Sequence, residues 1–280
     1  MIRGAKDNLD QDSTPKETVD AAKPLPAVSL LVGLLVILVA SFSQYVIQGL
    51  NFVSGVLLVY GFPILVTALI AGRAIIKKAA NQPLKAAKYG LGYFGAFTAL
   101  SILVGVFIIF LLTIFNPAAV DLLQKPNPLL QVSPEVAWLM VGVSFLIVGP
   151  AEEYLFRGFV FGGMLSFFKS RHWLSVAFVS SIFFAIVHIY YAEVYEVASL
   201  VQFVDLMAFG MAMAATYYVS GGNLIVPALI HGAYDATAFI GVATSTAIGD
   251  ELRVLMILIS AFVAIVIFVE RKTNKDTRQS

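Results

Sequence analysis

Glu152, Glu153 and Arg157 form a charged island in an apolar stretch, Ala151-Glu152-Glu153-Tyr154-Leu155-Phe156-Arg157-Gly158. Val136 to Val148 before it and Phe159 to Phe168 behind it carry no charge. A charged side chain near the centre of a membrane helix costs about 2.5–3.5 kcal/mol on insertion scales, so three together point to a functional site rather than an anchor. Glu153 and Arg157 are i, i+4 on a helix and can pair. Glu152 lies about 100° around the same helix, free to face a cavity. A carboxylate placed there suits a general base for water.

Two more positions carry chemistry. His188 closes the run Phe184-Ala185-Ile186-Val187-His188, and His231 and Asp235 share a face in His231-Gly232-Ala233-Tyr234-Asp235. Two imidazoles and a carboxylate suit either a zinc ion held by His188, His231 and Asp235, or a hydrogen-bonding array for water and an oxyanion.

The elements that must position these groups are membrane helices. Hydrophobic residues make up 59% of the 280 and charged residues 12%, about half the charge of a soluble domain. The fold expected is all-α, a polytopic integral membrane bundle of about eight transmembrane helices. The candidate spans are 27–50, 52–71, 89–115, 136–168, 173–191, 197–219, 224–242 and 254–269, each near the roughly 20 residues a crossing needs. The fourth is too long for one straight crossing and must tilt or run past the bilayer. Residues 1–26 read as a polar N-terminal tail, 27–133 as N-terminal membrane helices, 134–242 as the core that holds the motifs, and 243–280 as a last helix with a basic tail.

Lys and Arg set the orientation. An even span count puts fifteen of them on the side of the termini and two, Lys125 and Arg253, on the other. Both termini are therefore expected in the cytoplasm of a multi-pass cell-membrane protein. The intramembrane charges fall only in spans four to seven, which should face one another around a polar cavity with the remaining helices as an apolar jacket. Asp205, in the sixth span, is expected to bond to a neighbouring helix. Glu193 and Glu196 should be solvated, and the basic loop from Arg73 to Lys88 should meet anionic lipid.

Several functions are excluded or disfavoured. No cysteine is present, so thiolate metal ligands and a cysteine nucleophile are ruled out. No basic face suggests a nucleic-acid partner. There is no His-Glu-x-x-His, and no Gly-x-Ser-x-Gly elbow. Ala247-Ile248-Gly249-Asp250 lacks the Gly-x-Gly-Asp signature of aspartyl intramembrane proteases.

Taken together, Glu152-Glu153-x-x-x-Arg157, Phe184-x-x-x-His188 and His231-x-x-x-Asp235 resemble the three motifs of the CPBP family of intramembrane proteases. This is also the ABI or CAAX prenyl protease 2 (Rce1-type) family. The likeness runs from about Pro134 to Val242. It implies an endopeptidase acting on a membrane-associated protein or peptide, CaaX-type or other. Within it Glu152 would activate water with help from His188, His231 and Asp235 would orient the substrate carbonyl and stabilise the oxyanion, and Glu153 and Arg157 would shape the first motif. The family is named as metalloproteases and a metal-free glutamate mechanism is also proposed for it, so Zn2+ is one of two implied arrangements. The prenyl-protein branch typically has Asn where Asp235 stands. Two rival readings are an ion- or proton-coupled transporter, which titratable groups along four spans would suit, and a bacteriocin-immunity-type membrane factor. The absence of an internal repeat counts against the transporter.

Overall fold

The computed structural model describes residues 25–47, 51–168 and 172–279, and no strand occurs among them. Most of the expected N-terminal tail, together with Lys169 and Arg171, lies outside the described residues. The chain forms α1 (Ala27–Val46), α2 (Phe52–Ile76), α3 (Pro83–Phe115), α4 (Pro134–Phe168), α5 (Trp173–Ile186), α6 (Leu200–Val219), α7 (Ile225–Thr244) and α8 (Ile248–Gln279). This is a multi-pass all-α membrane protein. Among the described residues, six helical runs are long and apolar enough to cross a bilayer, and α6 belongs to one that begins at Tyr190. The other two expected spans are shorter apolar helices among the described residues, Ala27–Ser43 and Trp173–Ile186.

The clearest departure from expectation is α5. Its 14 residues rise only about 21 Å, short of a ~30 Å hydrocarbon layer. Apart from His188 the sequence stays apolar through Tyr191, so composition gives no stop signal. The backbone tightens instead: His188 N–H donates to Ala185 and Ile189 N–H to Ile186, both i−3 bonds. A short helix, Tyr190–Tyr195, and a tight turn, Glu196–Ser199, then lead into α6. His188 therefore sits beyond a helix end rather than within a span. Glu193 and Glu196 are exposed, as expected.

Two helices widen ahead of an internal proline. In α2, Phe62 N–H reaches back five residues to the Leu57 carbonyl, just before Pro63. In α4, Gly149 N–H reaches back five residues to Ser144, just before Pro150. A proline inside a helix has no N–H to give and collides with the carbonyl four residues earlier, so a wider π turn relieves both problems. A longer π stretch follows at Glu153–Phe161, where Gly162 N–H bonds to Arg157. Its fully buried residues include Glu153, Arg157 and Phe159.

Packing centres on this widened part of α4. Phe156, Phe159, Phe184, Phe209, Met213 and Ile230 form one apolar cluster from α4, α5, α6 and α7. α3 lies against α6 and α8, while α7 lies against α4 and α8. Large exposed apolar residues such as Leu69 and Phe268 give the bundle its lipid-facing surface.

The phase of α7 is fixed at its start. Gly221 and Gly222 take positive φ in the turn from α6, a conformation open to glycine at little cost. Buried Asn223 then accepts a bond from Val226 N–H at 2.9 Å and donates to the Asn81 carbonyl at 2.6 Å. An Asn cap of this kind pins the first turn. His231 and Asp235 follow two to three turns later.

Candidate active site

Two glycines let α4 and α7 touch. A Cβ on Gly149 would stand 2.5 Å from the Ala228 carbonyl oxygen, and one on Gly232 would stand 2.8 Å from the Ser144 carbonyl oxygen. Both obstacles are backbone, so neither can yield by a rotamer change. The close crossing sets His231, beside Gly232, against Glu152, three residues past Gly149. Gly232→Ala is expected to cost about 1–3 kcal/mol through overpacking and to lower activity with it. A melting curve of the purified variant checks this, and an unchanged transition would contradict the close crossing.

All six residues singled out in the sequence fall in one place. Glu152, Glu153, Arg157 and His231 are each at most 6% exposed. His188 is half-buried, and the Asp235 side chain is 32% exposed, so the site opens on the Asp235 side.

The two glutamates have separate partners. Glu153 Oε1 lies 3.0 Å from an Arg157 Nη and 2.8 Å from His231 Nδ1. The Arg157 contact is an ion pair by distance without hydrogen-bond alignment. The guanidinium also lies 4.4 Å from the centre of the Phe184 ring, a cation–π contact. The π turns keep Glu153 and Arg157 on neighbouring faces, so the spacing that suggested a pair still produces one. The bond from Glu153 to His231 bridges 78 residues and has no signature in either motif.

Glu152 presents two unlike oxygens. Oε1 accepts a 2.8 Å hydrogen bond from the Tyr60 hydroxyl of α2. Oε2 is buried without a hydrogen-bond partner. It faces His231 Nε2 at 3.6 Å and His188 Nε2 at 3.8 Å. These gaps exceed a direct hydrogen bond.

Each imidazole is oriented from behind. His188 Nδ1 lies 2.8 Å from the Phe184 carbonyl, so Nδ1–H donates and Nε2 is left facing the site. His231 Nδ1–H donates to Glu153, while its Nε2 lies 3.5 Å from Asp235 Oδ2. The Phe209 ring sits 4.7 Å from the His231 ring, centre to centre, and the Phe184 ring lies at the same distance from His188.

Among the described residues, no group of three His, Cys, Asp or Glu side chains is disposed to hold a metal ion.

Asp205 accepts from Ser101 Oγ of α3 at 3.0 Å and from Tyr234 OH of α7 at 3.4 Å, which ties three helices together as expected. Arg253 lies within α8 rather than in a connecting loop. It donates through Nε to Thr237 Oγ1 at 2.9 Å and covers the Tyr234 ring. Nor is α2 only an apolar jacket, because it contributes Tyr60. Counting Asp, Glu, Lys, Arg and His misses a tyrosine. The signal that could have found it is a polar hydroxyl three residues before a proline in an apolar span.

Residues 134–237 match the family described as Rce1-like, type II CAAX prenyl endopeptidase. This region contains all six site residues, and the match supports the Rce1-type (CPBP) family. No curated protein and no solved structure matches the chain. The family match supports a CAAX-type membrane protease acting on a membrane-associated substrate.

Proposed function

We propose that the protein is an intramembrane endopeptidase that hydrolyses peptide bonds with a water activated by Glu152. The observation that carries this reading is the buried Glu152 Oε2, without a hydrogen-bond partner and faced by the Nε2 atoms of two histidines. Water held there donates one hydrogen to Oε2 and the other to His188 Nε2. As its oxygen attacks the substrate carbonyl, the first proton passes to Glu152. His231, protonated on both nitrogens, donates from Nε2 to the oxyanion. Asp235 holds that Nε2–H in position before substrate arrives. Glu152 then returns its proton to the leaving nitrogen as the C–N bond breaks. Glu153 and Arg157 fix the face from which Glu152 and His231 act.

No step in this scheme runs through a metal. Prolonged treatment with a zinc chelator is expected to leave cleavage unchanged. Loss of cleavage restored by added zinc would contradict the scheme.

The Lys and Arg distribution supports a cytoplasmic position for both termini. The substrate class follows from the family match: membrane-associated chains, with prenylated CaaX proteins as the first to try. Purified protein in liposomes should be given a farnesylated CaaX peptide, its unprenylated counterpart and a single-span membrane peptide. Mass spectrometry should find Glu152-dependent cleavage of at least one of the membrane-bound peptides. Intact peptides in every case, with correctly folded protein, would contradict peptidase activity on these classes.

A further inference from the structure

We propose that Tyr60 is a positioning residue for the Glu152 base, and this rests on the peptidase reading above. Tyr60 lies in none of the three motifs and outside the matched region. Its hydroxyl donates to Glu152 Oε1 at 2.8 Å across 92 residues of sequence. A carboxylate held only by its own side-chain torsions can turn about its last bond and exchange its two oxygens. The Tyr60 bond distinguishes them: one oxygen is anchored and the other is left for the pair of imidazoles. Ground-state burial alone would not require such asymmetry.

The backbone supports this assignment independently. Tyr60 belongs to the π turn Leu57–Gly61 of α2, and Glu152 lies between the π stretches Ser144–Val148 and Glu153–Phe161 of α4. In both helices the wider turn precedes a proline, Pro63 or Pro150. Widened turns of this kind recur at functional sites because they re-aim a side chain without ending the helix. Here they occur on both sides of one hydrogen bond.

Tyr60 also lines an open groove of about 290 Å³ between α2 and α4, with Ile64, Leu146, Pro150 and Ala151 among the other walls. The ring thus meets an apolar space on one side while its hydroxyl meets the base at its end. Its two duties can be separated chemically, because phenylalanine keeps the ring and removes only the donor.

Tyr60→Phe is expected to lower kcat about 10- to 100-fold, the scale of loss when a reacting group is misplaced by about 1 Å. KM should stay within about twofold, and the melting transition should stay close to that of the wild type. Replacing Tyr60 with p-aminophenylalanine restores a donor at the same place and should recover most of the lost turnover. A purely structural role would move the melting transition or KM and would show no recovery by the restored donor. Wild-type kcat in Tyr60→Phe, beside an inactive Glu152→Gln, would overturn the positioning role while leaving the peptidase reading intact. Full cleavage by Glu152→Gln would instead overturn that reading itself.

Discussion

Glu152→Gln is expected to abolish peptide cleavage while the protein still inserts and folds. The amide is nearly the same size, and its carbonyl oxygen can still accept the Tyr60 hydrogen bond that now reaches Oε1. What is lost is the basic oxygen opposite His188 Nε2 and His231 Nε2. General-base assistance is worth about 10²–10⁴-fold. Glu152 serves here as base for the water and then as acid for the leaving nitrogen, so the loss belongs at the upper end of that range. Glu153→Gln provides the contrast. Glu153 Oε1 meets both Arg157 and His231, so its loss should impair folding as well as turnover. Rates measured on folded protein, with melting curves in parallel, separate the two outcomes. Equal residual activity in both variants would show that the glutamates do not have distinct roles.

The second large effect is structural. Arg157→Met should destabilise the bundle by about 3–5 kcal/mol, the usual cost of removing one partner from a buried ion pair. Arg157 is 1% exposed and Glu153 is fully buried. Without the guanidinium, Glu153 keeps only the bond to His231, and the Phe184 ring loses the cation stacked on it. Arg157→Lys should recover only part of this loss, because an ammonium lacks the planar face that lies on Phe184. Removing both charges together, in Glu153→Gln with Arg157→Met, should be less damaging to stability than Arg157→Met alone. Thermal unfolding of the three variants in one detergent checks the order. A double variant less stable than the single one would contradict the ion-pair account.

The sequence revealed the site more clearly than the path by which the chain builds it. Charge in an apolar stretch is a strong signal because lipid offers it no partner, so Glu152, Glu153 and Arg157 were legible at once. The i, i+4 spacing named Glu153 as the partner of Arg157, and the structure pairs them. Asp205 was legible for the same reason, and its bonds to Ser101 and Tyr234 are the interhelical ties expected of it. Contacts between distant segments were not legible. Nothing near His231 points to Glu153, and nothing near Glu152 points to Tyr60. The early end of α5 was hidden as well, because Val187 to Tyr191, apart from His188, continue its apolar pattern while the hydrogen bonding changes beneath them. The π turns had a readable cause in Pro63 and Pro150, but periodicity alone treats each helix as uniform.

These features make one connected account. Prolines widen α2 and α4, glycines bring α4 against α7, and the end of α5 delivers a histidine to the same spot. Glu152 then lies between an anchor and two imidazoles. The most direct measurement is a comparison of peptides from membranes containing the wild-type protein with those from membranes containing Glu152→Gln at equal abundance. Fragments of membrane-associated proteins should occur with the wild type and vanish with Glu152→Gln, their precursors accumulating intact. The same fragments at the same levels in both membranes would contradict a role for Glu152 in cleavage.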